Sequence, residues 1–152
     1  MEEFTEFAAF QRCRAFACEL AKLLKKGRFA RDPELVHQMR KAMISVYANF
    51  AEGFERDGNK EFAQFLSQAK GSVGELRGQM LYAFDNGLIS HQELEVIDRL
   101  GVEASRMLGG LMRYLNDSDL QGRKFKLRRL HADAERNFQD PPRDDVPQKG
   151  AH

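Results

Sequence analysis

Glu34-Leu35-Val36-His37 is the segment of this 152-residue chain that most invites chemistry, because a Glu and a His three residues apart share one helix face and can ligate one metal. Di-iron bundles need two such motifs and two further glutamates, and the chain holds a single E-x-x-H. Glu34 and His37 also fall in the first turn of a helix, near solvent, so no metal and no cofactor is expected. His91 belongs to another helix start, and His131 and His152 lie in the C-terminal segment. Cys13 and Cys18 are five residues apart, about 140° around a helix, too divergent for a disulfide or a shared metal, and they read as buried thiols. No Ser or Cys is set in a sharp turn beside a His, the arrangement that activates a nucleophile. These residue types point to a protein that binds, and not to an enzyme.

Two basic clusters are the candidates for binding. Lys22, Lys25, Lys26, Arg28 and Arg31 surround one turn, with no acid from Leu20 to Ala30. Arg123, Lys124, Lys126, Arg128 and Arg129 form the second, with Phe125 among them. Either can hold nucleic-acid phosphates, and Phe125 can stack on a base. Solvated helix ends and a solubilising tail are the plainer reading. A third group is polar and uncharged at its centre: Ser45, Asn49 and Glu52 form one helical stripe, and Ser72 with Glu75 forms another. If the two stripes meet, they make a hydrogen-bond network that fixes helix register; if not, they line a groove. Gly71, Gly74 and Gly78 share a face at steps of three and four, which suggests close approach by another helix of the same chain or by another subunit. Gly109-Gly110 raises the same question.

The elements that position these residues are helices. Phe10, Cys13, Ala17, Leu20 and Leu24 recur at three and four, and a first helix is predicted to stop near Lys25, Lys26 and a left-handed Gly27. Asp32 as cap and Pro33 at the first helical position open a second, which runs to about Arg56. Asn59 is predicted to cap a third, carrying Phe62, Phe65, Leu66, Ala69, Val73, Leu76, Met80 and Phe84 and ending at Asn86-Gly87. Ser90 and Glu93 form a capping box for a fourth, with Leu94, Ile97, Gly101, Ala104, Leu108, Leu111 and Leu115 as its stripe. Four helices of about 20 to 28 residues joined by short loops predict an all-α, up-down-up-down antiparallel four-helix bundle. Up-down topology separates the two basic clusters by the length of helix 2, some 35 Å.

The bundle is predicted to span residues 1–117, and residues 118–152 to form a basic, then Pro-containing tail, partly disordered, in which 120–138 can make a short helix. The chain carries 24 Lys plus Arg against 23 Asp plus Glu, a balance that leaves only local patches for nucleic acid. No acid- and base-free stretch exceeds Ala42–Ala51, far short of the roughly 20 apolar residues of a membrane span. Met1 to Glu6 holds three acids and no base, the reverse of a secretory signal's start, so a cytoplasmic protein is expected.

The second and third helices carry a resemblance. The string Gln38-Met39-Arg40-Lys41-Ala42, then Ser45, then Asn49-Phe50-Ala51-Glu52-Gly53, resembles the signature of the four-helix-bundle family named for the 23S ribosomal RNA intervening sequence protein. Lys60-Glu61-Phe62, Phe65-Leu66, Ala69, Gly71-Ser72 and Glu75-Leu76 resemble its second block, without a gap between the two. Val46 and Tyr47 stand where many members have an isoleucine-proline pair. The resemblance covers Phe7 to Leu115 and implies a small bundle that assembles as a homopentamer with a central opening, its activity mostly unassigned. It marks Gln38, Arg40, Ser45, Asn49, Glu52, Ser72 and Glu75 as signature polar positions. The accessory variability determinant proteins of diversity-generating retroelements are similar and bind a reverse transcriptase and nucleic acid. The resemblance therefore implies two kinds of partner, RNA or DNA on one side and a protein on the other. In a ring of five, each basic cluster is repeated five times, which multiplies weak phosphate contacts.

Overall fold

The computed structural model describes residues 3–118 and consists of four long helices: α1 (Ala8–Leu24), α2 (Pro33–Glu55), α3 (Asn59–Asp85) and α4 (His91–Asp117). Each packs on its two neighbours in chain order and α4 returns to α1, with the α1–α2 seam the loosest. This is the antiparallel bundle that the short loops dictate. The second basic cluster and the predicted 120–138 helix lie outside the described residues.

Helix boundaries follow from local chemistry. Asp32 Oδ1 accepts the Leu35 amide at 3.0 Å, and Pro33 occupies the position where a missing N–H costs nothing. At α4 the capping box is complete: Glu93 N donates to Ser90 Oγ at 3.1 Å and Ser90 N donates to Glu93 Oε1 at 3.0 Å. α3 ends in a Schellman motif, with Gly87 at φ 74°, its amide on the Phe84 carbonyl, and the Leu88 amide on the Ala83 carbonyl.

Two boundaries differ from expectation in detail. α1 stops at Leu24 with Lys25 as its C-cap, close to the predicted stop, but with 17 residues it is shorter than predicted, and Gly27 is not left-handed and instead opens a 3-10 turn, Gly27–Arg31. Phe29, at the centre of that turn, is 1% exposed and plugs this end of the bundle. Asn59 is the first residue of α3 and not its cap; Gly58 stands before it at φ 115°, a conformation that glycine alone adopts easily.

The core is continuous from end to end. Phe16, Leu20, Met39, Leu66, Val73, Leu76, Met80 and Leu108 fill its middle. At the end opposite Phe29, Phe7, Phe10, Phe50, Phe54 and Phe62 pack edge to face with centroids 5.2–6.2 Å apart, the geometry favoured by the ring quadrupole. α2 and α3 come close together at Gly53, where an added Cβ would lie 2.6 Å from Phe65 Cβ. Across the α3–α4 seam, Arg77 grips Asp98 with two hydrogen bonds of 2.8 and 3.3 Å, its stem lying over Gly101.

Candidate binding surfaces

Ser45 on α2 and Ser72 on α3 meet with their hydroxyl oxygens 2.9 Å apart, and Asn49 Nδ2 donates to both the Ser45 carbonyl and Ser45 Oγ, each at 2.9 Å. All three side chains are half-buried. Ser45 Oγ has one proton and two lone pairs, so it can satisfy Asn49 and Ser72 together. A one-residue slip of α2 against α3 would break the triad, which therefore pins their register.

The other four signature positions stand apart from it. Gln38 and Arg40 are exposed on α2. Glu52 pairs with Arg56 at 2.8 Å, and Arg56 also reaches Glu61 at 3.8 Å and covers the Phe65 ring at 5.3 Å, closing the α2–α3 loop. Glu75 accepts from Gln79 Nε2 at 3.2 Å along its own helix. The seven-residue stripe thus divides into a register triad and surface groups, because Glu52 and Glu75 find partners four residues away on their own helices.

The first basic cluster is partly consumed within the fold. Lys26 Nζ lies 3.4 Å from Glu93 Oε2, and Arg28 hydrogen-bonds the same oxygen. The Ser90 amide, then Arg28 and Lys26, hold the Glu93 carboxyl down at about 2 against partial burial, which acts the other way. Lys26 and Arg28 therefore tie the α1–α2 turn to the start of α4, and much of their charge is unavailable to a phosphate. Lys22 pairs with Glu19 at 2.9 Å on the exposed face of α1. Lys25 and Arg31 are exposed and have no carboxylate within 4 Å among the described residues.

A different set of cations was not anticipated. Arg99, Arg106 and Arg113 are all exposed and fall at steps of seven on the outward face of α4, about 10.5 Å apart. None has a carboxylate within 4 Å among the described residues. The heptad spacing was a readable signal. It was obscured because α4 as a whole carries more acids than bases.

The glycines of α3 separate from that of α2. At Gly71, Gly74 and Gly78 an added Cβ would meet nothing within 4 Å among the described residues. Among the described residues no other helix approaches them, so α1, α2 and α4 do not explain the row, which presents bare backbone on the outer face of the four helices. On the neighbouring α2, Ala48 and Ile44 are exposed too, Ile44 at 67%. The Ser45–Ser72 bond sets these residues at the same level of the bundle as Gly71 and Gly74.

Cys13 is buried, which pushes its thiol up to about 12, whereas Cys18 is exposed and not the buried thiol expected from the pattern. The five-residue step that prevents pairing also carries Cys18 off the core stripe. Glu34 and His37 are both exposed in the first turn of α2. Among the described residues, no three His, Cys, Asp or Glu side chains are close enough to share a metal, and no helix is long and apolar enough to cross a membrane.

The model of the family described as 23S rRNA-intervening sequence protein matches residues 5–110, well over half of the chain and nearly the whole bundle. No curated protein matches the chain.

Proposed function

The chain belongs to the 23S rRNA-intervening sequence protein family, and from that premise we propose that it is a non-enzymatic cytoplasmic homo-oligomer, five copies in a ring, that binds nucleic-acid phosphates. The observation that carries the assembly is the row Gly71, Gly74 and Gly78, open on the outer face of α3. Each glycine costs a helix about 1 kcal/mol relative to alanine. Three such costs on one face are offset if a helix of another copy packs directly on the exposed backbone. Ile44 and Ala48, on the same side, supply the apolar contact that such a seam needs.

Repetition makes the nucleic-acid reading workable for a chain with a net charge of +1. Lys25 and Arg31 in the first cluster, the arginine row of α4, and the Arg123–Arg129 cluster each contribute weak phosphate contacts, and a closed ring presents every one several times over. A second reading rests on Ile44: a large apolar side chain this exposed suits a protein partner such as a reverse transcriptase, with the bundle as scaffold.

Light-scattering mass, measured with a random single-stranded RNA at low and moderate salt, separates these readings. A particle near five times 17.4 kDa that binds RNA and releases it as salt rises supports the proposal. A pentamer indifferent to RNA favours the scaffold, and a 17.4 kDa monomer overturns both.

A further inference from the structure

We propose that Lys70 and Arg113, converging over the Gly109-Gly110 pair, form a phosphate-binding notch between α3 and α4 for the backbone of a single-stranded nucleic acid. The inference rests on the nucleic-acid reading above and adds a site outside both basic clusters. Arg113 folds back over the preceding turn, so that its Nη1 lies 3.4 Å from the point where a Gly109 Cβ would be. Lys70 Cε reaches the same point from α3, at 3.5 Å. The two cationic side chains thus come within about 7 Å of each other, inside the Debye length of roughly 8 Å at physiological salt.

Neither cation has a carboxylate within 4 Å among the described residues. Elsewhere in the fold, cations that come together share an acid, as Lys26 and Arg28 share Glu93. Here no acid occurs from Ala104 to Asn116 on α4. Two like charges placed over bare backbone, with no counterion of their own, are an anion site. A phosphate accepts charge-assisted hydrogen bonds of about 2.7–2.9 Å from each donor, so a single group bridges this gap. Glycine at 109 keeps the floor of the notch low: a methyl group there would sit in contact with both side chains. Arg106, about 10.5 Å away on the same face, gives a strand leaving the notch a further contact.

The test is fluorescence anisotropy of a labelled 20-nucleotide oligo(U) RNA across 50–200 mM salt. Neutralising both cations, Lys70→Gln with Arg113→Gln, removes the one phosphate that they share in each subunit engaged. For each such subunit the slope of log K against log salt then flattens by about 0.7, and binding at 0.1 M salt weakens about 5-fold. Lys70→Glu replaces the repelling pair with an ion pair to Arg113; it abolishes the notch while leaving the thermal midpoint unchanged or raised, so lost binding is not lost folding. Wild-type binding that survives the double variant with an unchanged slope overturns the notch and leaves the nucleic-acid reading standing. A wild-type protein that binds no RNA at 50 mM salt overturns both.

Discussion

The same substitution, glycine to alanine, has opposite consequences at two glycines of this bundle. At Gly53 the new Cβ lies 2.6 Å from Phe65 Cβ and 3.0 Å from Phe62 Cδ2, against a normal carbon contact of about 3.5–4.0 Å. Phe65 Cβ is bonded to the α3 backbone and cannot rotate aside, so α2 and α3 must separate. Overpacking of this kind costs about 1–3 kcal/mol, and the rigid neighbour puts Gly53→Ala at the upper end. Helix propensity returns about 1 kcal/mol, leaving a net loss of about 2 kcal/mol. At Gly74 an added Cβ has nothing within 4 Å among the described residues, so Gly74→Ala gains the propensity alone, about 1 kcal/mol in the dissociated chain. Urea unfolding followed by circular dichroism, at concentrations where light scattering finds monomer, reads both. The thermal midpoints should move by about 8 °C downward and 4 °C upward. Shifts of the same sign in the two variants would refute the assignment of Gly53 to a tight helix contact and Gly74 to an open face.

Three further outcomes follow from particular contacts. Ser72→Ala removes one partner of Ser45 but leaves Asn49 in place, so it should cost about 1 kcal/mol in urea, whereas Asn49→Leu, which cannot satisfy the Ser45 hydroxyl or carbonyl, should cost more. Glu93 carries a folded-state value lowered from 4.5 to about 2, so its contribution is complete above pH 4.5 and disappears as pH falls toward 2. Glu93→Gln should therefore be less stable at pH 7 and show a flatter loss between pH 4.5 and 2, read by unfolding midpoints. A thiol reagent at pH 8 should label Cys18 in the native protein and Cys13 only after unfolding, one thiol per chain before and two after.

Much of the architecture is legible in the sequence because it is decided locally. Asp32-Pro33, Ser90-x-x-Glu93 and Asn86-Gly87 each announce a helix end through bonds that span a few residues, and the spacing of Phe10, Cys13, Ala17 and Leu20 fixes a buried face. The less legible features depend on which helices meet and at what height. Ser45, Asn49 and Glu52 look equivalent in sequence, yet Glu52 is taken by Arg56 and the triad closes through Ser72, 27 residues on from Ser45. Gly53 and Gly74 are the same residue type in the same kind of element, and only the neighbouring helix distinguishes them. Lys26 and Arg28 read as a free basic patch because the acid that neutralises them, Glu93, is more than 60 residues away. Gly27, which looked like a helix stop of the left-handed kind, was overridden by Phe29: the chain turns tightly at that point to bury the ring.

The mass of the wild-type protein beside that of Gly74→Leu reads whether copies of the chain meet at the glycine face of α3. A Cβ at 74 meets nothing within 4 Å among the described residues, and a leucine built on it would occupy the space that a second copy needs. Wild type should scatter as an oligomer near five times 17.4 kDa, and the variant as a 17.4 kDa monomer with unchanged helical content. Equal masses for the two proteins would contradict assembly through the glycine face of α3.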